Sequence, residues 1–529
     1  MLRQVFAATA AVALLAGCSG GDDKSEDSPP KDGAGQPSST PSAPAPVAYD
    51  PPKAFQAAAA FSLPEEAGHG SFTPIVGMVG TTAVANTLSG AAGQSVAGSD
   101  KPWWTPSTET TDGSVVTNDT TRPVAVQLDG KSAVAVAYYQ RVKGSGTQKP
   151  GVQVLFRWLD PADGKPVSEA TVDVTPLLGD AEVNSGLPGG FTDLAADPAT
   201  GQLAAGLAPA SLIGAKSGVI TVTADPATKK GVAIPFMKPA GISKGVLVGA
   251  QGKENTRRSV ALIDAATGKV TKSGLLPGLE GLNPTGSNGG KYVYLYGQKY
   301  TKGIGAYGTG DYIGSLYAVD PATGAVVQTT SAVKDTKYLV DYSCSHDGQK
   351  TVVCAAGQGA SENEIVGLDD TTGKKLWGYT EKSAGRVVPQ VTAVFHGIVY
   401  GTVQRKPVLI NALTGQDVPA PAPTPSDSAT PGASTTPSDG SSPSDGSTPS
   451  DGSTPSDGTT PSDGTTPSDG SSPSATPGAT GPIPAAPDFQ ELLSPVSVSE
   501  YGGTYLRPDD LSASTDEVAG TLQVLKAIG

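Results

Sequence analysis

The chain of 529 residues is sparing with the residue types that build metal and redox sites: it holds 3 Cys, 3 His and 3 Met. It has no CxxC and no Cys/His ligand set, which argues against a structural zinc site. Aromatic residues make up 5% of the chain and charged residues 16%. Positive charge is the scarcer sign, 36 Lys and Arg against 50 Asp and Glu. The resulting net charge of −14 disfavours nucleic acid and anionic lipid headgroups as partners. Beyond the first residues no apolar run approaches the roughly 20 residues that span a bilayer as a helix. What is abundant is Gly (68) and Pro (46), with Ala, Val and Thr, a balance that favours many short strands joined by turns.

The amino terminus carries an address. Arg3 supplies a positive start, Val5 to Leu15 an apolar and small-residue run too short to cross a membrane, and Leu15-Ala16-Gly17-Cys18 closes it. This resembles the lipobox of bacterial lipoproteins, and the resemblance implies cleavage before Cys18 and acylation of its thiol with fatty chains such as palmitate. Ser19 to Pro46 reads as a polar, Pro-rich tether. The remaining cysteines, Cys344 and Cys354, are an even pair in a compartment where disulfides persist. Asp347-Gly348 between them reads as a hairpin turn. A connection centred on Gln349 would set the two cysteines opposite each other, whereas a strict two-residue turn would put Thr351 opposite Cys344.

Between Pro419 and Pro482 the composition collapses to Pro, Ser, Thr, Asp, Gly and Ala, and from Pro437 to Ser472 the unit Pro-Ser-Asp-Gly-[Ser/Thr]-[Ser/Thr] repeats six times. Without large apolar side chains such a tract cannot offset the entropy of ordering its backbone, so disorder is expected. Its regularly spaced acids suggest a calcium repeat, but the calcium-binding β-helices need an apolar residue in every copy. Threonine O-glycosylation suits the composition better.

Two families of turns recur through the rest. Asp160-Pro-Ala-Asp-Gly-Lys165, Asp225-Pro-Ala-Thr228, Asp264-Ala-Ala-Thr-Gly-Lys269, Asp320-Pro-Ala-Thr-Gly324, Asp369-Asp-Thr-Thr-Gly-Lys374 and Asn411-Ala-Leu-Thr-Gly-Gln416 each follow a short apolar strand. Asp129-Gly, Asp197-Pro-Ala-Thr-Gly201, Asn288-Gly-Gly-Lys291, Asp347-Gly-Gln-Lys350 and His396-Gly each precede one. An Asp side chain caps the amides that follow it, and Gly takes the positive φ of a tight turn. Two alternating turns per repeat describe a four-stranded antiparallel meander, and radial stacking of meanders gives an all-β propeller, here of seven or eight blades.

Ile365-Val-Gly-Leu-Asp-Asp-Thr-Thr-Gly-Lys-Lys-Leu-Trp377 resembles the repeat of pyrroloquinoline-quinone-like propellers, and the likeness extends over residues 120 to 418. The quinone-dependent dehydrogenases of that superfamily hold their cofactor between a Trp and a vicinal disulfide, beside calcium. Adjacent cysteines do not occur here, so no cofactor and no metal is expected, and the repeated Asp residues read as turn caps.

Candidates for chemistry are few. His346 and His396 stand before turn glycines and read as exposed turn residues, and His69 lies in Gly68-His-Gly70 with no recognisable partner. Trp103-Trp104, between Pro102 and Pro106, is the candidate binding pair for a sugar or protein ligand, with packing between blades as the alternative. Tyr292, Tyr294 and Tyr296 alternate on one strand and share a face that either binds ligand or stacks between blades.

The chain thus divides into a lipoprotein signal peptide (1–17), a lipidated Cys18 with its tether (18–60), a propeller (61–418), a disordered insertion (419–482) and C-terminal strands that close the ring (483–529). The expected function is binding or scaffolding at the extracytoplasmic face of the cell membrane. Its partners are the membrane, through the lipid, and a protein or glycan ligand. The alternative is a propeller enzyme, a quinone-type dehydrogenase, lyase or glycoside hydrolase, with its site at the channel mouth and no catalytic residues identified. Stable anchoring takes two acyl chains, and Cys18 is their attachment point. The Cys18→Ala protein should therefore be released or retained as uncleaved precursor. Unchanged membrane-fraction recovery with unchanged mass would contradict this.

Overall fold

A computed structural model describes residues 45–62, 75–97, 102–109, 112–178, 183, 189–209, 218–252, 258–279, 281–286, 289–302, 311–336, 342–356, 363–419, 494–506 and 521–529. The signal peptide, Cys18, His69 and the Pro-Ser-Asp-Gly repeats lie outside the described residues.

The chain begins with β1 (Phe55–Ser62), which joins the ring last. Blade 1 is β2 (Ile75–Val79), β3 (Thr82–Asn86), β4 (Gly90–Ser95) and β5 (Trp103–Pro106). Blade 2 is β6 (Val115–Thr120), β7 (Val124–Leu128), β8 (Lys131–Val142), β9 (Gly151–Leu159) and β10 (Pro166–Asp173), with β6 and β7 sharing the innermost position beside β8. Blade 3 is β11 (Gly190–Ala196), β12 (Leu203–Ala208), β13 (Ile220–Asp225) and β14 (Lys230–Pro235). Blade 4 is β15 (Met237–Ser243), β16 (Val246–Gln251), β17 (Arg258–Asp264) and β18 (Val270–Leu279). Blade 5 is β19 (Gly281–Pro284), β20 (Val293–Lys302), β21 (Asp311–Val319) and β22 (Val326–Thr336). Blade 6 is β23 (Tyr342–His346), β24 (Thr351–Ala356), β25 (Glu364–Asp369) and β26 (Lys374–Thr380), followed by the one-turn helix α1 (Glu381–Ala384). Blade 7 has three strands, β27 (Gln390–Phe395), β28 (Ile398–Val403) and β29 (Lys406–Asn411). Blade 8 is β30 (Ser497–Ser499), β31 (Gly502–Leu506) and β32 (Thr521–Ala527), completed by β1.

All pairings are antiparallel, and the innermost strands touch around the ring: β2 meets β7, β6 meets β11, β11 meets β15, β15 meets β19, β23 meets β27, β27 meets β30 and β30 meets β2. The fold is a β-propeller of eight blades, the upper of the two expected counts. Its hydrophobic cores lie between blades, where one sheet's inward face meets the next. Tyr139, Phe156 and Trp158 of blade 2 share a core with Leu203 and Val222 of blade 3, for instance, and Val353 and Ile365 of blade 6 share one with Val399 and Ile410 of blade 7. The small Ala and Val side chains that crowd these strands let the blades pack closely. Ring closure is made by the first strand and the last: β1 pairs with β32 from Phe55↔Ala527 to Ser62↔Thr521.

In an up-and-down blade the first and third turns lie at the same end, so both turn families of the sequence fall on one face of the ring, the turn face. Each motif closes on itself in the same way. The Asp369 carboxylate accepts from Thr371 N at 2.8 Å, and the Asp369 carbonyl accepts from Gly373 N at 2.7 Å, with Gly373 at φ +70°. That glycine also touches the preceding blade: a Cβ on it would lie 3.0 Å from Ala318 and 3.2 Å from Val327. Gly415 repeats the arrangement beneath Trp377, whose indole N–H donates to Ala412 O at 2.7 Å. Only blade 3 breaks the rule, with Lys229 at φ +56° in the glycine's place.

The opposite, loop face carries the connections 63–74, 143–150, 174–189, 209–219, 303–310 and 507–520. The lead into β1 runs along the turn face. Tyr49 N donates to Glu500 O at 2.7 Å, Asp50 pairs with His396, Tyr400 OH donates to Pro52 O at 2.6 Å, and Lys53 and Ala54 N both reach Gly529 O. The ordered chain therefore extends into residues 45–60, which composition assigned to the tether. Pro-rich spacing and the run Ala57 to Ala60 hide the strand because neither shows a two-residue period.

Among the described residues blade 7 has three strands. Asp417 bridges to Ile410 and Val418 N donates to Leu409 O, so an outer strand begins. The next outward position on β29 is Pro407, which offers no N–H to a ladder.

Because β30, β31 and β32 supply three strands of blade 8, a chain ended after Pro482 should uncover the apolar faces of blades 1 and 7 that pack on it and aggregate. Deleting Pro425 to Gly478 should leave a soluble protein with a single cooperative melt, since loop entropy depends weakly on length. An unchanged melting temperature in the truncated protein would contradict the closing role.

Candidate functional site

Two buried acids of the ring join neighbouring blades. Asp370, 4% exposed, follows β25 and reaches across to blade 5. It accepts from the backbone N–H of Lys291, from Tyr292 N at 3.3 Å and from Tyr294 OH at 3.0 Å. His346 stands on its other side, Nε2 at 3.6 Å from Oδ2, too long for a hydrogen bond, while its Nδ1 accepts from Gly348 N at 2.9 Å. That bond leaves the proton on Nε2. The expected exposed turn histidine is thus buried, because Gly289 and Gly290 of the blade 5 turn close over it.

A second carboxylate works at the loop-face end of the same junction. Glu364, 1% exposed, accepts from Tyr342 OH, from Ser331 Oγ at 2.6 Å and from Ala332 N at 3.0 Å. Tyr342 packs against Tyr296 with ring centroids 4.4 Å apart. Tyr292, Tyr294 and Tyr296 are all buried in this inter-blade core, so the alternating tyrosine face serves packing. Burial first, and then the facing carboxylate, pushes the phenols of Tyr294 and Tyr342 well above their ordinary range.

Cys344 and Cys354 form a disulfide across β23 and β24 in the register centred on Gln349, and both are buried. Cys344 N also donates to Thr285 O of blade 5 at 2.7 Å. Trp103 lies half-buried at the rim of blade 1, its indole N–H donating to Pro161 O of the blade 2 turn at 3.0 Å and its ring resting on Gly93 and Gly164. Trp104 packs half-buried beside Val76, Met78 and Val524. His396, at φ +39°, stacks on Phe395 and pairs with Asp50, holding the lead into β1.

Two surfaces are left. Along the innermost strands the described acids are Asp119 and Asp193, on neighbouring blades. Asp119 accepts from Phe191 N at 2.6 Å and Thr120 N at 2.8 Å, and desolvation raises its pKa; Asp193 lies 3.6 Å from Lys238 Nζ. Each is already engaged, so acid–base work on a substrate would first have to break these contacts. Among the described residues no group of three His, Cys, Asp or Glu is placed to hold a metal. The other surface is a groove of about 220 Å³ at the rim of the blade 6–7 junction, lined by Tyr379, Val387, Pro389, Val403, Val408 and Ile410. Arg386 crosses its end, lying over the Tyr379 ring at 4.8 Å, donating to Gly415 O at 3.0 Å and pairing with Asp417. Sequence reasoning missed this groove because its walls come from blades 6 and 7 and the loop between them, which only the fold brings together.

No family model and no curated protein matches the chain. Solved structures similar to it include an uncharacterized protein of Listeria monocytogenes EGD-e (11% identity, 72% of this chain and 100% of that one, TM-score 0.33). They also include the quinohemoprotein alcohol dehydrogenase of Comamonas testosteroni (12%, 66% and 60%, TM-score 0.32) and the β-propeller domain of the Trilobed protease of Pyrococcus furiosus (13%, 55% and 80%, TM-score 0.32).

Replacing Asp370 with Ala leaves Tyr294 OH and two backbone N–H groups without their acceptor and should destabilise the protein by about 3 kcal/mol in denaturant titration, from about 1–3 kcal/mol per buried unsatisfied group. Tyr294 and Tyr342 have folded-state pKa values above their unfolded ones. Their contribution is therefore complete below the ordinary phenol pKa of about 10 and is lost as pH rises beyond it. The melting midpoint should fall above that pH while the phenolate absorbance of these two tyrosines appears only on unfolding. Phenolate signal from all tyrosines in the folded protein would contradict the burial.

Proposed function

We propose that the chain is a lipid-anchored extracytoplasmic propeller that presents its loop face to a protein or glycan ligand. The observation that carries this reading is the direction of β1. It starts at the turn face, and residues 45–54 are bonded there to Glu500, His396 and Gly529, so the described chain enters the ring at the turn face. The loop face, at the other end of the blades, bears the long connections, where binding residues concentrate on a rigid scaffold. The engagement of the buried acids in inter-blade bonds supports binding over catalysis.

Photo-crosslinking groups placed at Gln148, on a loop-face connection, and at Lys269, on a turn, test this in intact cells. The Gln148 position should give protein or glycan adducts and the Lys269 position lipid adducts or none. Ligand adducts confined to Lys269 would contradict the orientation.

A further inference from the structure

The groove at the rim of blade 7 has an occupant within the chain. Every complete blade from 1 to 6 ends in an outer strand that immediately precedes the inner strand of the next blade. In blade 7 the residues in that place of the chain order are those before Ser494. Ser494 is fixed, its Oγ 2.7 Å from Thr392 Oγ1 on β27, three residues beyond Pro389 of the groove wall. Within 420–493 the large apolar residues are Ile483, Phe489, Leu492 and Leu493, so apolar character returns only at the end next to Ser494. The groove is walled by Val387, Pro389, Val403, Val408 and Ile410, with the paired Arg386 and Asp417 at its end.

We propose that the groove is the seat of the chain's own segment Asp488–Leu493, with Phe489 against Val387, Val403 and Val408. Tethering favours this occupant over any free peptide, because a segment joined at Ser494 experiences an effective concentration on the order of mM. The Pro-Ser-Asp-Gly repeats would then be held at both ends on one blade.

The test uses the full chain, exported by its native route. Val387→Cys combined with Phe489→Cys should form a disulfide that keeps the two peptides together after the repeats are cut by an Asp-specific protease. The control pair of Val387→Cys with Ser471→Cys should not. Phe489→Asp should lower the melting midpoint by a few degrees and Phe489→Leu should largely restore it. A synthetic peptide Asp-Phe-Gln-Glu-Leu-Leu should bind the Phe489→Asp protein and not the unaltered one. Equal crosslinking of both cysteine pairs would overturn the proposal, as would an unchanged melt in the Phe489→Asp protein. Binding of the peptide to the unaltered chain would show that the groove is open to an external partner and would overturn it equally.

Discussion

Every blade of this ring needs a surface for its outer strand, and five junctions draw it from one small device, the glycine at the end of an Asp-x-x-x-Gly turn or, at Asn411, its Asn counterpart. Gly164 lies under Trp103, Gly268 under Ile234, Gly324 under Lys272, Gly373 under Val327 and Gly415 under Trp377. Each has a φ near +70°, which frees the turn from strain, and no Cβ, which lets the neighbouring strand approach. The local hairpin and the long-range docking are thus one requirement placed on one residue. Where Lys229 replaces the glycine, the preceding strand docks differently, Ser168 Oγ donating to Pro226 O at 2.7 Å.

The buried acids follow the same logic of joining blades. Asp370 and Glu364 lie at opposite ends of the blade 5–6 junction, and both are satisfied by hydroxyl and backbone donors with no formal cation in bonding contact. A buried carboxylate is tolerated only with such a set of donors, and its removal leaves them unpaired. With those acids committed to architecture, the groove at the blade 7 rim is a surface they leave open. His396 and Tyr400 hold the lead into β1 on the turn face.

Much of this was legible in the sequence, because it is encoded locally. The turn motifs announced themselves through Asp and Gly at fixed offsets, and of the two cysteine registers the sequence left open the fold takes the one centred on Gln349. What was not legible depends on contacts between distant residues. Trp103 meets the Pro161 turn, and His346 is covered by a glycine pair from the neighbouring blade, so neither exposure could be read from neighbours in sequence. The alanines of β1 carry no periodic signal, and their pairing with β32 is the most distant in the chain. The groove draws its walls from two blades and the loop between them, and local sequence does not show that they meet.

The central claim, that turn glycine and preceding outer strand act as one unit, is tested most directly by a double-mutant cycle between Gly415 and Trp377. A Cβ on Gly415 would lie 2.6 Å from the Trp377 ring, so Gly415→Ala should combine positive-φ strain with a clash in the unaltered background. In the Trp377→Leu background only the strain should remain. The account predicts a coupling energy of about 1 kcal/mol or more, within the range of about 0.5–3 kcal/mol for residues in contact. Additivity to within about 0.3 kcal/mol would contradict it.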